Sequence, residues 1–111
     1  MRAGIAIVAL ALGAGGARIR ATEARRAHHT VTIHIANFAF VPRDTSVAAG
    51  DSVVWINDDD FEHVVEADSA AWKSPTLSHG ARYVYVAARA GHVPNHCAAH
   101  PVMHGALTIA E

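Results

Sequence analysis

The sequence predicts an all-β fold, a Greek-key β-sandwich of seven to eight short strands. Three observations carry this expectation. Apolar and polar residues alternate over short runs, and turn residues separate the runs at spacings of roughly ten residues. No apolar run at helical period extends beyond two turns after Thr30. A chain of 111 residues holds one core and no second domain of comparable size.

The elements follow in chain order. Val31, Ile33 and Ile35 share one face of a first strand, with Thr32 and His34 on the other. Asn37 to Val41 repeats the alternation, and Pro42 closes it because proline supplies no ladder donor. Ala49-Gly50-Asp51 is a turn, and Ser52–Asn57 is an almost wholly apolar strand suited to the centre of a sandwich. His63 to Ala67 reads as a short strand. Tyr83, Tyr85 and Ala87 then alternate with Val84 and Val86, and Leu107 with Ile109 forms a last inward pair. Short helical pieces are expected at Ser69–Lys73 and Ala87–Ala90, and Pro94 is expected to break the ladder before the last strand.

Residues 1–26 read as a targeting segment, leaving residues 27–111 as the domain. Met1-Arg2 precedes an apolar run from Ala3 to Ala14, whose twelve residues span about 18 Å as a helix, short of the roughly 30 Å of a bilayer core. Small residues place a cleavage site after Ala17 or Ala24; uncut, the segment would be the chain's only membrane attachment. Export to a periplasm is the expectation.

Charge excludes one class of function. The chain carries 9 Lys plus Arg against 10 Asp plus Glu, and five of the arginines lie in residues 1–26. Residues 27–111 hold nine acids against Arg43, Lys73, Arg82 and Arg89, a balance of −5, the opposite of a nucleic-acid surface. Cys97 is the single cysteine, so no internal disulfide forms. Nine histidines in so short a chain point to metal.

The chemistry concentrates in Cys97-Ala98-Ala99-His100-Pro101-Val102-Met103, where a thiol, an imidazole and a thioether recur at three-residue intervals. His63, after the Asp58-Asp59-Asp60 turn, supplies a second imidazole. Cys, two His and Met form the donor set of a blue copper site, a trigonal plane with a weak axial thioether. The soft sulfurs favour Cu(I), while the imidazoles keep Cu(II) competitive. Zinc fits less well, because its structural sites take four N or S donors without a thioether. A Cys97–His100 nucleophilic pair lacks the glycine-rich elbow and oxyanion motif that such an enzyme needs. His28 and His29 read as a solvated tail, and His34, His79 and His92 as exposed. His96 and His104 flank the loop, and alternation from Cys97 turns His96 away from it.

Over residues 30–111 the chain resembles the cupredoxins, in their amicyanin-like and plastocyanin-like branch. The resemblance rests on Val31-Thr32-Ile33 leading into Phe38-Ala39-Phe40-Val41-Pro42, on Gly50-Asp51-Ser52-Val53-Val54-Trp55-Ile56-Asn57-Asp58 with His63, and on the Cys97, His100-Pro101 and Met103 loop. It implies one type 1 copper ion held by His63, Cys97, His100 and Met103. It also implies a monomeric carrier, not an enzyme, that passes single electrons between transiently docked redox proteins through His100. The acidic turn at Asp58–Asp60 with Glu62 would steer a basic partner. A copper-delivery protein without electron transfer is the alternative. Two departures stand out: Val64 occupies a position where the family often has Asn, and Val93-Pro94-Asn95-His96 replaces the usual aromatic before the cysteine.

Overall fold

The computed structural model describes residues 27–111, which form eight strands. The expected targeting segment, residues 1–26, lies outside the described residues. In chain order the strands are β1 (Thr30–Ala36), β2 (Ala39–Val41), β3 (Asp44–Ala48), β4 (Ser52–Asn57), β5 (Val65–Ala67), β6 (Arg82–Val86), β7 (Gly91–Cys97) and β8 (His104–Ala110). They make two four-stranded sheets, β2-β1-β4-β6 and β3-β8-β7-β5. Each sheet is mixed: β1 runs parallel to β4 and β3 parallel to β8, while the other pairs are antiparallel.

The alternation read from sequence sets the inner faces. Ile33 and Ile35 of β1, Val53 and Trp55 of β4, and Leu107 and Ile109 of β8 are buried in one core. Tyr83 and Tyr85 pack against that core from β6, while Val84 and Val86 stay exposed on the far side. Trp55 lies beside Trp72 and Tyr83, with ring centroids 5.6 and 6.1 Å away. Through Trp55 this aromatic cluster packs onto the core.

Three expectations are corrected. Pro94 does not break the ladder; it lies inside β7, opposite Ala106 of β8. A strand residue points its nitrogen and its carbonyl to the same side. The Pro94 carbonyl accepts from the Asp68 N–H at 2.9 Å, so its nitrogen faces the β5 side, just beyond the end of β5, and no bond to β8 is lost. Asn37 and Phe38 are not strand. They are the two-residue turn of the β1–β2 hairpin, with φ of 53° and 57°.

Finally, neither expected helical piece forms. The 68–73 excursion hydrogen-bonds back to β5, through Ala67 N–H to the Trp72 carbonyl and Ser74 N–H to the Val65 carbonyl. Ala87 pairs with residues 50 and 51 in both directions, which takes both its backbone groups away from a helical turn.

Asp51 ties the amino end of β1 to the turn before β4. Its carboxylate accepts the N–H of His29 at 2.8 Å and of Ala48 at 2.9 Å. These two amides hold its pKa below the usual 3.8 against the opposing effect of burial. A carboxyl depressed in the folded state contributes stability above its unfolded pKa, and that contribution is lost as pH falls through the folded value. Asp51→Asn is therefore expected to melt below the wild type at neutral pH, with the gap narrowing below about pH 4. Thermal unfolding at neutral and acidic pH checks this; a gap independent of pH would contradict it.

Candidate metal centre

The site is built at the end of the sandwich where β1, β4 and β7 finish. His63 stands in the loop after β4, outside any named strand, and is pinned by a two-way backbone bridge with Leu77 (3.0 and 2.7 Å). The buried Asn57 side chain shapes that loop. Its Nδ2 donates to the carbonyls of Phe61 and Leu77, each at 2.8 Å, and its Oδ1 accepts the Asp59 N–H at 2.9 Å.

The three-residue spacing of the second loop becomes two successive turns. His100 N–H donates to the Cys97 carbonyl at 3.2 Å, and Met103 N–H donates to the His100 carbonyl at 2.9 Å. A bond from Cys97 N–H to the Met103 carbonyl closes the loop at 3.1 Å. Cys97 and Met103 are buried, His100 is half-buried, and Val102 between them is 86% exposed.

Three donors converge. Cys97 Sγ lies 3.7 Å from His63 Nδ1 and 3.6 Å from His100 Nδ1, and all three atoms fall within 4.8 Å of one another. Imidazole nitrogen and thiolate sulfur bond a metal ion at about 2.0–2.3 Å, which sets trigonal donors about 3.5–4 Å apart. The two sulfur–nitrogen spacings fit donors arranged around one ion. Among the described residues this is the one His, Cys and carboxylate grouping so arranged. Met103 is brought to the foot of the same loop, beside Phe38 and Phe40 in an open groove.

The surroundings orient the donors. The Val64 N–H points at Cys97 Sγ at 3.4 Å, so the main chain meets the sulfur although the Val64 side chain cannot tie the two loops. Asp59 Oδ2 is 2.9 Å from His63 Nε2. Burial pushes the Asp59 carboxyl upward, but the amides of Phe38 and Asn37 and the His63 ring outweigh it and leave its pKa lowered. An ionised carboxylate only accepts, so His63 Nε2 carries an N–H toward it, and in the neutral ring Nδ1 is then the acceptor that faces the sulfur.

The other histidines stand apart from this cluster. His96 turns to the opposite face of β7, as its alternation requires, with Nδ1 2.6 Å from Asp68 and Nε2 3.1 Å from Glu66. The Asp68 bond, partly opposed by burial and reinforced by Glu66, raises its pKa. His28, His29, His34, His79, His92 and His104 are exposed.

Sequence reasoning missed two residues that contact the centre. Sequence reading gives Asp59 only as part of an acidic turn that steers a partner, and Phe38 only as a strand residue. Their signals were an acid four residues before His63 and an aromatic at a hairpin turn where glycine is usual.

No family model matches the chain. Over 84 residues it is 30% identical to amicyanin from Paracoccus denitrificans, a match covering 71% of this chain and 64% of that protein. Among solved structures, an amicyanin variant in its oxidized state is 30% identical with a TM-score of 0.69, over 78% of this chain and 87% of the other. The purple cupredoxin from Nitrosopumilus maritimus shares the fold, with 23% identity and a TM-score of 0.68 over 72% of this chain and 99% of its own. So does the copper-containing nitrite reductase from Thermus scotoductus SA-01, with 24% identity and a TM-score of 0.70 over 74% of this chain, which spans 22% of that enzyme. The chain belongs to the cupredoxins, and its cofactor is copper.

Proposed function

We propose that this protein is an exported carrier of single electrons between larger redox proteins, and not an enzyme. The convergence of His63 Nδ1, Cys97 Sγ and His100 Nδ1 carries the reading. In it, His63, Cys97 and His100 would hold one copper ion, and Met103 would add a soft thioether donor. When bound, copper provides a one-electron Cu(II)/Cu(I) couple.

The chain's own contribution is rigidity and access. His63 and Cys97 are fully buried and anchored to strands and bridges, so the donor set resists rearrangement when the charge changes. His100, half-buried, is the port. Apolar side chains around it, Val102 at 86% and Phe61 at 60% exposure, offer a surface on which a partner docks briefly. The exposed acids Asp60 and Glu62 flank Phe61 in the chain, and with Asp58 they favour a basic partner. Export to a periplasm rests on the character of residues 1–26.

Voltammetry of the copper-loaded chain and of Met103→Leu, run beside a chelator challenge, tests this. The wild type is expected to cycle reversibly at fixed copper content. Met103→Leu should keep its copper and colour but shift in potential, because a soft donor is removed. Rapid surrender of copper to the chelator without reversible cycling would favour a delivery protein instead. Loss of copper from a folded Met103→Leu chain would remove Met103 from the axial role.

A further inference from the structure

The β1–β2 turn is the least comfortable backbone near the centre. Asn37 and Phe38 both occupy the left-handed region, with φ of 53° and 57°. Asparagine tolerates it, but a bulky aromatic is an outlier there, at a position where two-residue hairpins take glycine. Such strain persists only where surrounding structure over-determines it. Here one carboxylate does so: Asp59 Oδ1 accepts the Asn37 N–H at 2.7 Å and Oδ2 accepts the Phe38 N–H at 2.9 Å. The same Oδ2 meets His63 Nε2 at 2.9 Å, and the Asp59 side chain is only 12% exposed.

The strained turn delivers a ring to a specific place. Phe38 stands edge-on to His63 with centroids 5.3 Å apart, and edge-on to His100 at 5.0 Å. The two imidazoles are themselves 4.9 Å apart, and Phe61 backs Phe38 at 5.0 Å. His63 is thus held by a carboxylate at Nε2 and by an aromatic ring packed against it. Among the described residues no hydrogen bond to His100 Nε2 is seen, so that ring is restrained by packing, from Phe38 and from the His63 ring.

We propose that Asp59 and Phe38 form one positioning device for both imidazoles: Asp59 fixes the tautomer of His63 and clamps the Asn37–Phe38 turn, and the clamped turn seats Phe38 against His63 and His100. The proposal deepens the copper reading and rests on it for what the positioned rings hold. The glycine that the turn geometry prefers is absent because it would leave the two rings without a wall.

The device separates stability from copper binding, and the test uses that. In the metal-free chain, long-range proton–nitrogen NMR correlations should show the neutral His63 ring protonated on Nε2. Phe38→Gly relieves the turn, so the metal-free chain should unfold at no lower denaturant concentration than wild type, yet lose Cu(II) to a chelator about 10- to 100-fold more readily. Asp59→Asn offers one accepting oxygen to three donors and removes a charge, so its Cu(II) affinity should fall over the same range, about 10- to 100-fold, with a raised potential and a mixed His63 tautomer.

Asp58→Asn is the control. It removes the same charge one residue away, where Asp58 meets only the exposed His34 ring at 2.6 Å, and should leave the tautomer and the affinity unchanged. An Nδ1-protonated His63 in the wild type overturns the proposal even if Asp59→Asn fails to fold. Wild-type copper retention in Phe38→Gly, or equal effects of Asp58→Asn and Asp59→Asn, overturns it too. If the wild type itself binds no copper through Cys97, the copper reading fails instead, and the tautomer measurement still judges the clamp.

Discussion

Replacing Cys97 with alanine is expected to abolish the intense visible absorption of the copper-loaded chain completely. Cys97 is the single thiol in the sequence, and its sulfur sits 3.6–3.7 Å from both imidazole nitrogens, so no other group can act as thiolate donor. Copper left to His63 and His100 alone would show only the weak colour of a histidine complex. The fold should survive, because the side chain is small and the substitution keeps an apolar group at a buried position. Absorption of the loaded variant, beside circular dichroism of the metal-free one, checks both halves. An intensely coloured Cys97→Ala protein would contradict the site.

The largest expected loss of stability comes from Trp55→Ala. Trp55 is fully buried at the centre of β4, and Trp72 and Tyr83 pack on it. Emptying such a position costs about 3–5 kcal/mol, a large part of the roughly 5–15 kcal/mol that holds a domain together. Trp55→Phe should lose much less, because it keeps most of the packing and removes an indole N–H that has no partner among the described residues. Denaturant midpoints of the two variants check the order. If Trp55→Phe is as damaging as Trp55→Ala, lost packing is not the cause.

The fold was legible where one face of a strand is wet and the other dry. Val31, Ile33 and Ile35 against Thr32 and His34, and Tyr83 and Tyr85 against Val84 and Val86, read directly as inside and outside. The turns of the 97–103 loop were legible too, since three-residue spacing and successive turns are one fact in two descriptions.

What escaped the sequence depended on tertiary partners. Pro94 is tolerated in β7 because β5 ends just short of its nitrogen, and a lone strand does not say where its neighbour stops. Phe38 violates turn preference because a carboxylate from a distant loop holds the turn. The 68–73 segment has helix-compatible residues, but its backbone groups bond to β5.

The central claim, that His63, Cys97 and His100 make one copper centre, is tested most directly by titrating Cu(II) into the metal-free chain and recording visible absorption. An intense thiolate-to-copper band should grow in proportion to added metal and stop at one ion per chain. A band that never appears, or weak colour that keeps growing past one equivalent as exposed histidines fill, would contradict it.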